Sequence, residues 1–382
     1  MWEGQKRKIM PVRSIDRFRV LSPVMKTWNL FHDTNRIQGG VNLKMLTESA
    51  SIAVEKRSSP DYGLRKVIES ACRAQICRCW TCASCDGECP INIATGRLRP
   101  QRIVRLASLG FIEELLNSPE IWYCLTCRRC LQVCPNQVKP CDVIDYTRQE
   151  AVSRGIVSYA STCRLQLLFA QLQPVRWRAV EQCLNNNFIP PSRERIDQWL
   201  AEPVPENIFR PDACQAPEGI LPGGSFFGKA AAATRSASCS TCGECSSACP
   251  VSGARSVFDP RFIIRMVNFG LAEELVISPS IWLCLSCGRC TDACGQQVDG
   301  QQILQRLQAA AISDAIVTQL AIFRMKEAES LIFSHFLDMV DDIFGFKRSA
   351  ASIFSVPIPR SLMREYPQAV QLVTEALEKP QS

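Results

Sequence analysis

The sequence predicts a mainly α-helical protein made of two similar halves, and three observations carry that reading. Sliding the 382-residue chain by 160 residues lays 79–134 over 239–294 without a gap, with 24 of the 56 positions identical and all eight cysteines among them. Self-similarity at a fixed offset marks a tandem duplication. Each copy holds two C-x2-C-x2-C-x3-C runs, and between them the punctuation is helical: Pro100 with Gly110, Asp259-Pro260 with Gly270, Ser118-Pro119 and Ser278-Pro279. Polar caps, proline in a first turn and a glycine stop belong to helices rather than to the hairpins of a small β-rich protein.

In order, residues 1–58 hold no cysteine, have mixed polarity and a Gly39-Gly40 break, and read as an N-terminal extension. A first module is expected over 59–189. Ser59-Pro60 opens a helix over Leu64 to Ala74 that leads into the first cysteine run. Next come the helix bracketed by Pro100 and Gly110, a short one with Glu113 and Glu114, and one that Ser118-Pro119 opens through Ile121-Trp122. Asp142 to Arg154 is a helix ended by Gly155, and residues 160–200 are helical around a break at Pro174. Prolines 190, 191, 203, 205, 211, 217 and 222 crowd into 33 residues, against 23 in the whole chain, so 190–225 is expected to be an extended linker and the domain boundary. The second module, 226–382, repeats the pattern with Glu273 and Glu274, Ile281-Trp282 and a helix over Gln301 to Ser313. C-terminal helices, broken at Pro357 and Pro359, are expected to cover it.

The cysteine runs carry the chemistry. Cys79, Cys82, Cys85 and Cys89 precede Pro90; Cys124, Cys127, Cys130 and Cys134 precede Pro135; Cys239, Cys242, Cys245 and Cys249 precede Pro250; Cys284, Cys287, Cys290 and Cys294 precede Gly295. This spacing holds a 4Fe-4S cluster: three thiolates on one loop cap three corners, and the fourth reaches a neighbouring cluster. Four runs imply four clusters, two in each module. The crossed logic of two-cluster ferredoxins pairs Cys79, Cys82 and Cys85 with Cys134, and Cys124, Cys127 and Cys130 with Cys89. The second module repeats it: Cys239, Cys242 and Cys245 with Cys294, and Cys284, Cys287 and Cys290 with Cys249. Zinc also accepts four thiolates, but its sites usually join two C-x2-C pairs from separate knuckles.

Composition excludes several classes. A content of 46% hydrophobic residues is neither disordered nor fibrous, and the 22 cysteines follow no apolar leader, since Met1 to Met10 opens into none. Reduced thiols in a cytoplasmic protein are expected. No window nears 18 uninterrupted apolar residues, so no membrane span is expected. The formal charge of +7 raises a zinc-stabilised, basic, nucleic-acid-binding module as the alternative reading. A charge of roughly −2 on each oxidised cluster with its thiolates cancels that excess, leaving a basic arm from Lys6 to Arg19. No nucleic-acid partner is expected.

Outside the runs, Cys72, Cys77, Cys141, Cys163, Cys183 and Cys214 read as small buried hydrophobes, with Cys77 close enough to Cys79 to stand in as a ligand. Trp122 and Trp282 each stand two residues before a cysteine run, where they are expected to shield it from water rather than to relay electrons. Gly223 to Ala230 nearly matches a phosphate loop, but Ala230 replaces the hydroxyl that should hold magnesium. The adjacent glutamates point apart, and His32 and His335 have no evident partner. No catalytic set is present, so the chain is expected to convert no substrate by itself.

With these cysteine runs, the helical connectors and W-x-C-x2-C-x2-C at Trp122 and Trp282, the chain resembles the heterodisulfide reductase C-subunit family over about 79–155 and 239–313. The resemblance implies two tandem α-helical ferredoxin modules in an electron-transfer subunit. Its donor would be a flavoprotein or hydrogenase-like subunit, and its acceptor a C-C-G-domain subunit or a quinone-reactive membrane protein. Any attachment to the inner face of a membrane would run through such partners.

Overall fold

Asp61 starts helix α1 (Tyr62–Ala71) by accepting hydrogen bonds from Gly63 N–H and Leu64 N–H at 2.8 and 3.1 Å. The computed structural model describes residues 60–185, 188–203, 234–253, 257–346 and 371. The N-terminal extension, His32, Ser59, most of the linker, Cys214, the near-phosphate loop and the breaks at Pro357 and Pro359 lie outside the described residues. Helix α2 (Pro100–Leu109) begins on its proline and stops at Gly110, whose φ of +83° suits glycine. A Cβ there would lie 2.7 Å from the Asp61 backbone, whose N–H donates to Gly110 O at 2.8 Å. The glycine that ends α2 therefore also seats the start of α1.

Helix α3 (Pro140–Ser153) follows the second run, and α4 (Tyr159–Leu184) is a single helix through Pro174. Proline removes a backbone donor and crowds the carbonyl one turn back. Here Pro174 is buried in a helix packed along a second long helix, Gln319–Phe344, so packing carries it over the expected break. Part of the expected linker is helical too: α5 (Arg193–Ala201) begins where Ser192 Oγ accepts from Arg195 N–H, and it buries Ile196, Trp199 and Leu200. Pro190 and Pro191 precede that cap, where they disturb no helical bond.

Helices α6 (Pro260–Asn268), α7 (Gly300–Ser313) and α8 (Gln319–Phe344) stand 160 residues after α2, α3 and α4. The duplication thus extends through the long terminal helices. Before each inner run, the ones beginning at Cys124 and Cys284, a short 3-10 helix, Pro119–Tyr123 or Pro279–Leu283, is capped by Ser118 or Ser278. Among the described residues there is no β-strand, and no helix is long and apolar enough to cross a membrane.

The halves interlock, for residues 58–382 form one unit. Helices α4 and α8 pack against each other, with the Phe169 and Phe336 rings 5.0 Å apart. Each also reaches across: α4 packs on Pro279–Leu283, while α8 packs on Pro90–Thr95 and Pro119–Tyr123. Ser330 Oγ donates to Ala94 O at 2.5 Å, and Phe344 stacks on Trp122 with centroids 4.3 Å apart. Helix α8, part of the C-terminal stretch expected to cover the second module, thus packs on the first module too. Its apolar face is legible in sequence, but periodicity does not say which surface covers it. One hydrophobic core runs through both halves.

Candidate metal centres

In every cysteine run the residues flanking the second cysteine are left-handed: Thr81 and Ala83, Thr126 and Arg128, Thr241 and Gly243, Ser286 and Gly288, with φ from 51° to 91°. Non-glycine residues pay about 1–2 kcal/mol each for that conformation. Its recurrence in four loops curls each run around a centre, and such strain gathers at binding sites. Inner and outer runs differ in exposure. Cys127 and Cys130 are 7% exposed and Cys287 and Cys290 8%, whereas Cys82 and Cys242 lie open to solvent.

One cleft is lined by Cys79, Cys82, Cys85 and Cys134, bringing three thiols of the first run together with the fourth of the second. Electrostatic neighbours follow the same crossed pattern. Burial, then Asp86 and Cys79, with Cys134 adding, push Cys85 up to about 12. Burial leads at Cys89 as well, opposed by the Asn92 backbone and reinforced by Cys124, again to about 12. Cys127 is pushed up to about 12 by burial, then Cys124, with Cys89 and Cys287 contributing. In the second half, burial raises Cys284 to about 12 against the opposing Ser286 N–H, and Cys249 adds to it. Cys245 rises to about 11 through burial, opposed by Ser246 and reinforced by Asp259 and Cys239.

Thiols raised this far are protonated at neutral pH, and coordination to iron is what deprotonates them. The surroundings fit a sulfur-rich anionic group. Backbone N–H groups donate to sulfur in matched pairs: Thr126 to Cys124 (3.4 Å) and Ser286 to Cys284 (3.3 Å), Val138 to Cys134 (3.3 Å) and Val298 to Cys294 (3.4 Å). The indole N–H groups of Trp122 and Trp282 are buried without a protein partner, two residues before Cys124 and Cys284. Buried donors are ordinarily satisfied. A group bringing its own sulfur acceptors suits this pair. Among the described residues, no three Cys, His, Asp or Glu side chains converge on a single-ion position.

Several side chains around the runs had no sequence reading. Arg148 donates to Ile121 O and Cys124 O at 2.7 Å each, and Arg176 of α4 donates to Leu283 O at 3.2 Å, beside Cys284. Cys141 is buried with its thiol on Cys130, whose pKa that contact raises first and burial second, so it sits beside an inner run rather than in a distant core. Cys77 is exposed, and Cys72, Cys163 and Cys183 are buried as expected. Glu113 pairs with Arg154 at 2.7 Å and Glu114 with Arg102 at 3.3 Å on the surface. His335 has a partner after all, its Nε2 lying 2.8 Å from Asp197 Oδ1.

Comparison with known proteins follows the same two-part layout. Two different family models, each described as "4Fe-4S dicluster domain", match the chain, one over residues 78–139 and the other over 232–298. The iron-sulfur C-subunit of the CoB–CoM heterodisulfide reductase of Methanopyrus kandleri is 30% identical over 170 residues, 41% of this chain and 87% of the relative. The C-subunit of the H2:CoB-CoM heterodisulfide, ferredoxin reductase of Methanothermobacter thermautotrophicus is 32% identical over 108 residues, 28% of this chain. There the chain spans only 56% of the relative's length. The C-subunit of the ferredoxin:CoB-CoM heterodisulfide reductase of Methanosarcina mazei is 25% identical over 163 residues, 41% of this chain and 90% of the relative.

Proposed function

Because the chain belongs to the family of heterodisulfide reductase iron-sulfur C-subunits, we propose that it relays electrons through four 4Fe-4S clusters from a flavin- or hydrogenase-type donor subunit to a C-C-G-type or quinone-reactive acceptor. The cleft that gathers Cys79, Cys82 and Cys85 with Cys134 carries this reading, because crossed ligation is the signature of paired clusters. The ligand sets are the four crossed sets read from the spacing. When bound, each cluster supplies a one-electron carrier whose potential follows charge, hydrogen bonding to sulfur and exposure.

The chain's own residues set those conditions. The N–H groups of Thr126, Ser286, Val138 and Val298 favour the more negative, reduced state by donating to cysteine sulfur. Buried Trp122 and Ile121 keep water from the second run. The exposed Cys82 and Cys242 leave an outer run of each half within reach of a partner. Anaerobic isolation of the complex tests the assignment: a flavin- or hydrogenase-type subunit is expected to co-purify and to reduce this chain. Isolation with no redox subunit, or with one that cannot reduce it, counts against the relay.

A further inference from the structure

The two inner runs meet across the boundary between the halves. Arg129 Nη1 donates to Leu285 O at 3.2 Å, between Cys284 and Cys287, and Arg289 Nη1 donates to Thr126 O at 3.0 Å, between Cys124 and Cys127. The arginines are counterparts at the 160-residue offset, so each half reaches into the other's cysteine loop in nearly the same way. Gln132 Nε2 crosses beside them to Asp292 Oδ2 at 3.1 Å. It does so where Gly288 leaves room, since a Cβ at Gly288 would lie 2.7 Å from that amide. The counterpart of Gly288 is Arg128, so this opening belongs to the second half alone. Arg129 also meets Glu88, next to Cys89.

Helices α4 and α8 already hold the halves together, so the paired arginines are not needed for that. They place two cations between loops whose ligand sets are anionic when loaded. Anionic sites held in facing loops repel more strongly as an electron arrives, and a guanidinium between them offsets this in a partly buried setting. The low exposure of Cys127, Cys130, Cys287 and Cys290 keeps screening by water small.

Resting on the cluster reading above, we propose that the two inner runs form the junction by which electrons pass between the halves, with Arg129 and Arg289 as positioning residues whose charges lie between the facing loops and stabilise the reduced states of both sites. In the crossing one inner site is oxidised and the other reduced by a single electron, with no bond made or broken. The route then runs from the Cys79 set through the Cys124 set and the Cys284 set to the Cys239 set. Its two ends are the exposed runs.

Redox titration followed by electron paramagnetic resonance tests the junction in the fully loaded chain. Arg129→Met, a substitution in the first half, is expected to make the potential of the Cys284 set more negative along with that of the Cys124 set, and Arg289→Met, in the second half, to make the potential of the Cys124 set more negative along with that of the Cys284 set. Shifts confined to the substituted half overturn the proposal. Spin coupling gives a second readout without touching the arginines. In a Cys82→Ala, Cys242→Ala double variant, the splitting between the two reduced inner sites is expected to persist, and two isolated spins overturn the junction. Iron content separates the failures: a wild-type chain with little iron overturns the cluster reading and the junction with it, whereas full iron with uncoupled inner sites overturns the junction alone.

Discussion

Arg97→Ala is expected to destabilise the cluster-loaded protein by about 3 kcal/mol. Arg97 donates to Asp338 at 2.9 Å and to Asp341 at 2.6 Å, tying the segment after the first run to α8. Asp341 is 1% exposed, and the Tyr123 hydroxyl donates to the same carboxylate. Removing one partner of a buried pair costs about 3–5 kcal/mol, because the remaining charge stays buried. The Tyr123 hydroxyl survives the substitution and keeps the loss near the lower end. Anaerobic urea titration reads it, and an unchanged midpoint contradicts the network's role in fastening α8. Burial first, then the bond to Asp341, raise the Tyr123 pKa above its ordinary 10.0. A raised folded-state pKa means that this contribution is complete below about pH 10 and is lost as pH climbs through the folded value.

Cys127→Ala is expected to remove about a quarter of the iron, about four atoms of about sixteen, and to destabilise the protein more than Cys82→Ala does. Cys127 is 7% exposed at the meeting of the halves, whereas Cys82 sits on an open loop. Loss of the group that Cys127 holds would leave raised, buried thiols facing one another in the core. Cys163→Ala and Cys183→Ala remove buried thiols of α4 outside the runs, and both are expected to keep full iron. Iron analysis of anaerobic material decides, and a fully loaded Cys127→Ala protein contradicts the ligand set.

Local chemistry was the legible part. Caps at Asp259, Ser118 and Ser278 and the stop at Gly110 lie where the sequence places them, since each acts within one turn of chain. One cleft does bring Cys134 beside Cys79, Cys82 and Cys85, a neighbourhood that the spacing of the runs suggests. Long-range partners were not legible. Nothing in the pattern of Gln319–Phe344 says that it lies on the first half, and the prolines around α5 hid the Ile196, Trp199, Leu200 face. Pro174 misled because its helix is buried by tertiary contacts stronger than the local penalty. Arg129 and Arg289 could have been found: the duplication keeps an arginine at both positions, although the loops around them differ.

The relay stands most directly on an electron count. An anaerobic reductive titration of the purified chain, with iron, sulfide and zinc analysed on the same sample, is expected to give about 16 iron, about 16 sulfide, negligible zinc and uptake of about four electrons per chain. Stoichiometric zinc in iron-replete material, or an iron-loaded chain that accepts no electrons, would contradict it.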